Sequence, residues 1–440
     1  MTGPTAAEQA RDRGLDRGIG AIGLGLAIVN GVIGAGIFRL PADMAAVAGA
    51  LAPLAYLFCA VGMGAVVLCF AEAGSRVPTS GGAYGSVEAA FGPAAGFVVG
   101  VLLWLSAVLA CGGVAAAVAE ALGERLPLLA TQGGRAALIL VLLGSFGAIN
   151  VAGVRQGTRF VMAATLVKLV PLGLFIVVGA SFAPGSTGAA ALPAGSGEGL
   201  GRAVILALFA FSGMETSLAT SGEVSRPARN IPLALIGAML LVLVVYVAIQ
   251  LVAERLLGGA LSGSKEPLAA GMARIGAGWA ALLALGALLS RMGWIAGDLL
   301  GAPRFLFAFA RDGLLPAVLG RLHARTRAPW VAILTHAGCA ATLALSGTFV
   351  QLAVLAGLGS CGIYALGCAA AWRLRRRGVA RLGAPLAFRA TPAAAVIGIA
   401  AMVAILFQAE RNEIIGFFAV IAASLVWFAI VSARRRPRRA

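Results

Sequence analysis

Twelve mostly apolar stretches, most of them near the length a helix needs to cross a bilayer, run through this 440-residue chain. A crossing takes about 20 residues. The stretches lie at about 20–47, 51–72, 94–121, 135–150, 158–180, 201–222, 232–256, 277–309, 329–346, 348–371, 392–408 and 412–432. In hydrocarbon every backbone N–H and C=O has to be bonded inside the protein, so only helices or closed barrels span. The runs are continuous rather than alternating over ten residues, which selects helices. The chain therefore reads as an all-α integral membrane protein of twelve spans, and its 60% hydrophobic and 12% charged residues exclude an ordinary soluble domain.

A formal charge of +17 would suggest nucleic acid in a soluble protein. Here the basic residues sit between apolar segments without a continuous basic face, so no nucleic-acid partner is expected. Counting a basic residue near a span end with the adjoining loop, 24 of the 34 Lys and Arg fall in the termini and even-numbered loops, 7 in the odd-numbered loops and 3 well inside spans. An even span count puts both termini on one side, and the positive-inside rule makes that side cytoplasmic in a multi-pass protein of the cell (inner) membrane. Arg373, Arg375, Arg376, Arg377 and the tail from Arg434 to Arg439 contribute most. No cleavable signal is visible, because residues 1–17 are polar and the first apolar run is too long for one. The six cysteines lie in apolar segments without CxxC spacing or a neighbouring His, so neither a disulfide framework nor a zinc site is expected.

Span 1 carries Gly31, Gly34 and Gly36 midway along an apolar helix, and span 6 carries Ser212-Gly213 followed by Glu215. Each interior Gly costs a helix about 1 kcal/mol relative to Ala, so both spans are expected to break. First and sixth are corresponding positions if spans 1–5 (20–180) and 6–10 (201–371) form an inverted repeat, with helices 11 and 12 (392–432) added between a cytoplasmic tail (1–19) and a basic one (433–440). Paired breaks of this kind point to a transporter site. Amides at Gly34, Ala35 and Gly36, at the start of the second half of span 1, suit a carboxylate. Carbonyls from Phe209 to Ser212, at the end of the first half of span 6, suit an ammonium. Together they would hold a zwitterion. The plain alternative is that the glycines only let helices approach closely.

Several blocks resemble the amino acid, polyamine and organocation (APC) transporter superfamily. They are the glycine break followed by Ile37-Phe38 and Pro41; Pro78-Thr79-Ser80-Gly81-Gly82-Ala83-Tyr84 with Phe91-Gly92-Pro93; Phe209 to Glu215 with Glu223 and Arg226-Pro227-Ala228-Arg229-Asn230-Ile231-Pro232; and Pro303-Arg304 with Ala310 to Pro316. The resemblance implies a 5+5 inverted repeat with discontinuous helices 1 and 6, alternating access, and an amino acid bound by Ile33, Gly34, Ala35, Gly36, Ile37, Phe209, Ala210, Phe211, Ser212 and Gly213. Phe209 or Phe211 would be an aromatic gate, or simply bundle packing. Counting from Phe91-Gly92-Pro93 places Cys111 where arginine exchangers of the family carry a polar Asn, and Ala35 replaces a common Ser. Both changes imply a neutral substrate.

Ionisable residues inside spans cost about 2.5–3.5 kcal/mol each for a central Lys or Arg, so each needs a partner or a task. Lys168, mid-span 5, is expected to couple transport, standing in for a bound cation or titrating; by resemblance it touches span 1. Glu215 is the second coupling candidate, at a helix start that stabilises its anion. Arg39 and Asp43 read as an ion pair, and a substrate-facing Arg39 stays open because relatives usually carry an aliphatic residue there. Arg291 and Asp298, seven apart on span 8, read as having separate partners or a shared water. The expected activity is secondary transport of neutral, small or apolar amino acids by proton coupling or exchange, with no cofactor and no metal; cationic amino acid or polyamine exchange is the alternative. An enzyme would need more than His323 and His336, and a channel would need a filter that is absent from the sequence.

Overall fold

The computed structural model describes residues 18–34, 36–78, 82–124, 126–152, 158–182, 195–218, 221, 224–381 and 384–435; within helices the side chains of 158–167 and 435 are outside the description. The described residues are helical apart from connecting segments and one isolated bridge between Ile19 and Val224. Ala35, Thr79, Ser80, Gly81, Glu223 and the tails 1–17 and 436–440, all used above, lie outside the described residues.

The helices are α1 (Ala21–Val32), α2 (Leu40–Ala48), α3 (Ala52–Arg76), α4 (Ala83–Phe91), α5 (Pro93–Gly123), α6 (Pro127–Ala130), α7 (Gln132–Val151), α8 (Thr158–Phe182), α9 (Gly197–Phe211), α10 (Met214–Ser217), α11 (Pro227–Leu257), α12 (Pro267–Ala273), α13 (Ala277–Gly301), α14 (Pro303–Arg311), α15 (Trp330–Ser346), α16 (Phe349–Arg376), α17 (Thr391–Leu406) and α18 (Arg411–Arg435). Among the described residues eight stretches are long and apolar enough to cross a membrane: Leu40–Arg76, Pro93–Gly123, Gln132–Val151, Gly197–Ser217, Pro227–Gly263, Ala277–Arg311, Phe349–Arg376 and Arg411–Arg434. Four shorter apolar helices, Ala21–Val32, Lys168–Phe182, Trp330–Ser346 and Thr391–Leu406, coincide with other expected spans. The first is short because the glycine break cuts it, and its second half runs on towards α3. This is a multi-pass membrane protein.

Pro93, Pro227, Pro267 and Pro303 each stand at the start of a helix, where the ring's fixed φ fits and its missing N–H costs nothing. Gly92, at φ 96, turns the chain between α4 and α5. The segment Ala83–Phe91, which falls between the second and third expected spans, is a helix of its own.

Two packed groups of helices flank the centre. In one, α11 packs on α1 and α3, and α9 on α2 and α3; in the other, α15 packs on α5 and α7, and α13 on α5 and α7. The helices α8 and α16 lie between: α8 touches α1, α11 and α13, and α16 touches α5, α3 and α9. At one end of the molecule Glu72 is wholly buried, taking bonds from Arg76 (2.6 Å), Arg375 (3.1 Å) and Thr391, and so ties α3, α16 and α17 together. At the other end Arg202 bonds Glu413 at 2.7 Å, tying α9 to α18.

Candidate functional site

The first break follows from its glycines. Ile33 leaves the helical region at φ −73, ψ 75, and the Gly34 N–H turns back to Val32 O at 2.7 Å instead of reaching Asn30 O. A 3-10 turn, Gly36–Phe38, follows, and the chain re-enters α-helix at Leu40. The break frees carbonyls at the end of α1. Lys168 Nζ donates to Asn30 O and Ile33 O, both at 3.2 Å, and Lys168 is only 2% exposed. The Tyr246 hydroxyl lies 2.9 Å from Val32 O and 3.1 Å from Ala210 O, so its one proton serves carbonyls of both broken helices. The opening N–H groups of the 3-10 turn have no partner within it, as at any helix start.

The second break is shorter. Ser212 is extended (ψ 159) and its hydroxyl donates to Phe209 O at 2.6 Å. Gly213 sits at φ 116 and its N–H donates to both oxygens of Glu215, at 3.0 and 3.1 Å. The Tyr364 hydroxyl donates to the same carboxylate at 2.7 Å. The breaks touch: a Cβ on Gly213 would lie 2.6 Å from Gly31 O, and one on Gly31 would lie 3.1 Å from Gly213 O. The glycines are thus needed for a backbone-to-backbone approach as well as for the breaks.

Between the two helix groups lies a cavity of about 650 Å³ of atom-free space, part of it open to solvent. Its wall includes Gly34, Gly36, Ile37, Phe209, Ala210, Ser212, Gly213 and Glu215, all singled out in the sequence. Ile33 and Phe211 are absent from the wall; Ile33 is fully buried, and Phe211 packs edge-on against Tyr56 with ring centroids 6.2 Å apart. Of the two gate candidates, then, Phe209 faces the cavity, and it meets Phe349 in a T-shaped pair at 5.9 Å. Cys111 is not in the wall either: it is wholly buried beside Asp298 and His336, while Ala107 and Ala110 on the same helix face the cavity. Ala35 is outside the described residues.

One end of the cavity is covered. Phe209 and Phe349 close over Gly36, and the Arg39 guanidinium lies 5.9 Å from the Phe349 ring centre. Arg39 also bonds Asp43 at 3.2 Å and Glu120 on α5, so it joins the two helix groups and does not point at the cavity. Thr216, at the other end of the wall, is exposed. Arg291 bonds Glu266 at 3.4 Å and Asp298 bonds His336 at 2.8 Å, so the two residues have separate partners.

Sequence reading missed Tyr246, Trp294, Asp298, Ser106 and Ser360 as cavity residues. A phenol within an apolar run is a signal for Tyr246, because a buried hydroxyl has to find a partner. Trp294 approaches Gly34 to 3.0 Å from where a Cβ would stand, and nothing local announces this. The expectation that no Cys has a His nearby fails twice, because Cys339 follows His336 by three residues along the chain and Cys111 is grouped with His336 in space.

The family model described as amino acid permease matches residues 19–432. The chain is 26% identical over 386 residues to the branched-chain amino acid permease BcaP of Bacillus subtilis (strain 168), covering 83% of this chain and 82% of that one. It is 27% identical over 384 residues to the methylthioribose transporter of the same organism, covering 82% and 81%. To the vacuolar cationic amino acid transporter 2 of Arabidopsis thaliana it is 29% identical over 359 residues, covering 76% of this chain and 55% of that one. With the matching model spanning nearly the whole chain, this protein belongs to the amino acid permease family of the APC superfamily.

Proposed function

We propose that this chain carries neutral, small or apolar amino acids across the inner membrane by alternating access, as a proton-coupled transporter or an exchanger. The observation that supports this most is the cavity's polar wall. The start of the Gly36–Phe38 turn offers amides to a carboxylate, and the end of α9 turns its negative dipole pole to an ammonium across the same space, with Phe209 O already accepting from Ser212 and Ala210 O from Tyr246. On this reading the chain has twelve spans, with 20–180 and 201–371 as inverted halves, 392–432 as added helices and both termini cytoplasmic. The packing that supports the halves is reciprocal: α8 supplies Lys168 to the first break, and α16 supplies Tyr364 to the second. Lys168 then acts as a built-in cation at the end of α1.

Leu103, Ala107, Ala110, Val114 and Ala356 give the remaining wall an apolar character that suits a small or branched aliphatic side chain. The wall's two carboxylates are engaged, Glu215 by Gly213 and Tyr364 and Asp298 by His336. A cationic side chain therefore meets no free acid. The similarity to a branched-chain permease points the same way, whereas the cationic transporter among the relatives supports the alternative.

Reconstituted protein, preloaded with unlabelled amino acid, tests the proposal. Internal leucine, alanine or methionine should accelerate uptake of the labelled compound, and arginine or putrescine should not compete. Acceleration by arginine alone would transfer the assignment to cationic substrates. No acceleration by any of twenty amino acids would overturn it.

A further inference from the structure

We infer that the Asp298–His336 pair is the site where a proton is bound and released during transport. The inference rests on the carrier reading above. Asp298 (α13) forms part of the cavity wall, and its carboxylate lies 2.8 Å from Nε2 of His336 (α15), which is completely buried. His336 Nδ1 has no hydrogen-bond partner. A carboxylate and an imidazole that share one proton carry a net charge of −1; with a second proton the pair is neutral. Through its place in the wall Asp298 faces the space open to the cavity, while His336 stands behind it. The step is a simple protonation: one H⁺ from cavity water adds to the pair, no other bond forms or breaks, and the same H⁺ leaves when the cavity faces the other side.

Among the described residues no other charged group is bonded to this pair. From α5 it meets the Cys111 thiol, all three ligand-type atoms lying within 4.8 Å of one another, and the Trp104 ring, whose centre is 6.4 Å from that of the imidazole. On α7 the Asn150 amide is engaged by Phe146 O and Ala296 O. On α13 Arg291 is bound to Glu266, after α13 Arg304 bonds Leu300 O, and on α15 the other ionisable group is Cys339. Glu215 shares the cavity wall but is held by Gly213 and Tyr364, and Lys168 is held by two carbonyls. Among the described residues, then, Asp298 and His336 form the ionisable pair at the wall that keeps an open nitrogen.

Linkage requires that a proton which alters substrate binding be itself bound differently with substrate present, with a limit of about tenfold in affinity per pH unit for one proton. Wild-type, Asp298→Asn and His336→Gln proteins in proteoliposomes are compared for counterflow, for accumulation driven by a pH gradient, and for substrate affinity from pH 5.5 to 8. Asn keeps the carboxamide shape and cannot titrate. In Asp298→Asn gradient-driven accumulation should be lost and the pH dependence of affinity should shrink to less than about twofold, whatever the change in the absolute counterflow rate. His336→Gln should shift the pH profile rather than flatten counterflow. Wild-type pH dependence and accumulation in Asp298→Asn overturn the inference, as does wild-type transport that stops with a chelator and returns with Zn²⁺, which would make the cluster a metal site. Absent wild-type counterflow would instead overturn the carrier reading itself. If Asp298→Asn does not fold, as judged by size-exclusion profile, His336→Gln decides.

Discussion

The two breaks in the bundle solve the same problem differently. In the first, seven residues separate Val32 from Leu40, and the freed carbonyls are answered from outside their helix, by Lys168 of α8 and Tyr246 of α11. In the second, only Ser212 and Gly213 intervene, and the answers are mostly local: Ser212 returns to Phe209 O and Glu215 folds back onto the Gly213 N–H. At the first break the Gly34 N–H is turned back to Val32 O and the opening amides of the Gly36–Phe38 turn face no carboxylate of their own helix, while the second has already placed its own carboxylate on its amide. On the proposed carrier reading, a negatively charged group of the substrate would find room at the first break and a like charge at the second, which would set the orientation of a zwitterion in the cavity.

The largest effect is expected where the two breaks touch. In Gly213→Ala a non-glycine residue would sit in left-handed backbone, costing about 1–2 kcal/mol, and its Cβ would meet the Gly31 carbonyl at 2.6 Å with main chain on both sides. Transport should vanish and thermal stability in detergent should fall; an unshifted melting temperature would show that the breaks do not need this approach. Gly31→Ala, at 3.1 Å from Gly213 O, should do the same more weakly.

Lys168→Ala comes next. It leaves Asn30 O and Ile33 O as buried acceptors without a donor, at about 1–3 kcal/mol each. Counterflow should drop more than about tenfold while the protein still elutes as a folded species. Wild-type counterflow in this variant would remove Lys168 from the mechanism, and would leave the first break supported by Tyr246 alone.

How far the sequence reveals this depends on range. The break positions were legible because glycine and small polar residues in an apolar run are a local signal, and Lys168 because a charge in such a run demands a partner. The choice between Phe209 and Phe211 was not legible. Two residues turn a helix by about 200°, so the two rings face nearly opposite ways, and only packing against Phe349 or Tyr56 decides which faces the cavity. Cys111 was placed by counting along α5, which gives depth but not the face of the helix. The cluster it belongs to joins α5, α13 and α15 and has no sequence proximity at all. The helix Ala83–Phe91 was masked by the glycines that precede it and by Gly92 behind it.

Smaller effects come from the two phenols, and they test whether the breaks move together. Tyr246→Phe removes a proton shared between Val32 O and Ala210 O and should slow counterflow by about tenfold, since a lost buried bond of about 1.4 kcal/mol corresponds to that factor. Tyr364→Phe removes one of the bonds to Glu215 and leaves those from Gly213, so about fivefold or less is expected. If the breaks rearrange independently, the double variant should lose the sum of the two activation free energies within about 0.5 kcal/mol. Tyr246 bonds both helices, and Gly31 and Gly213 are in backbone contact, so the expected outcome is a departure from additivity larger than that. Counterflow rates of the four proteins supply the cycle. Simple additivity would mean that each break is held by its own flanking helix, α8 with α11 at the first and α16 at the second, with no shared switching element between them.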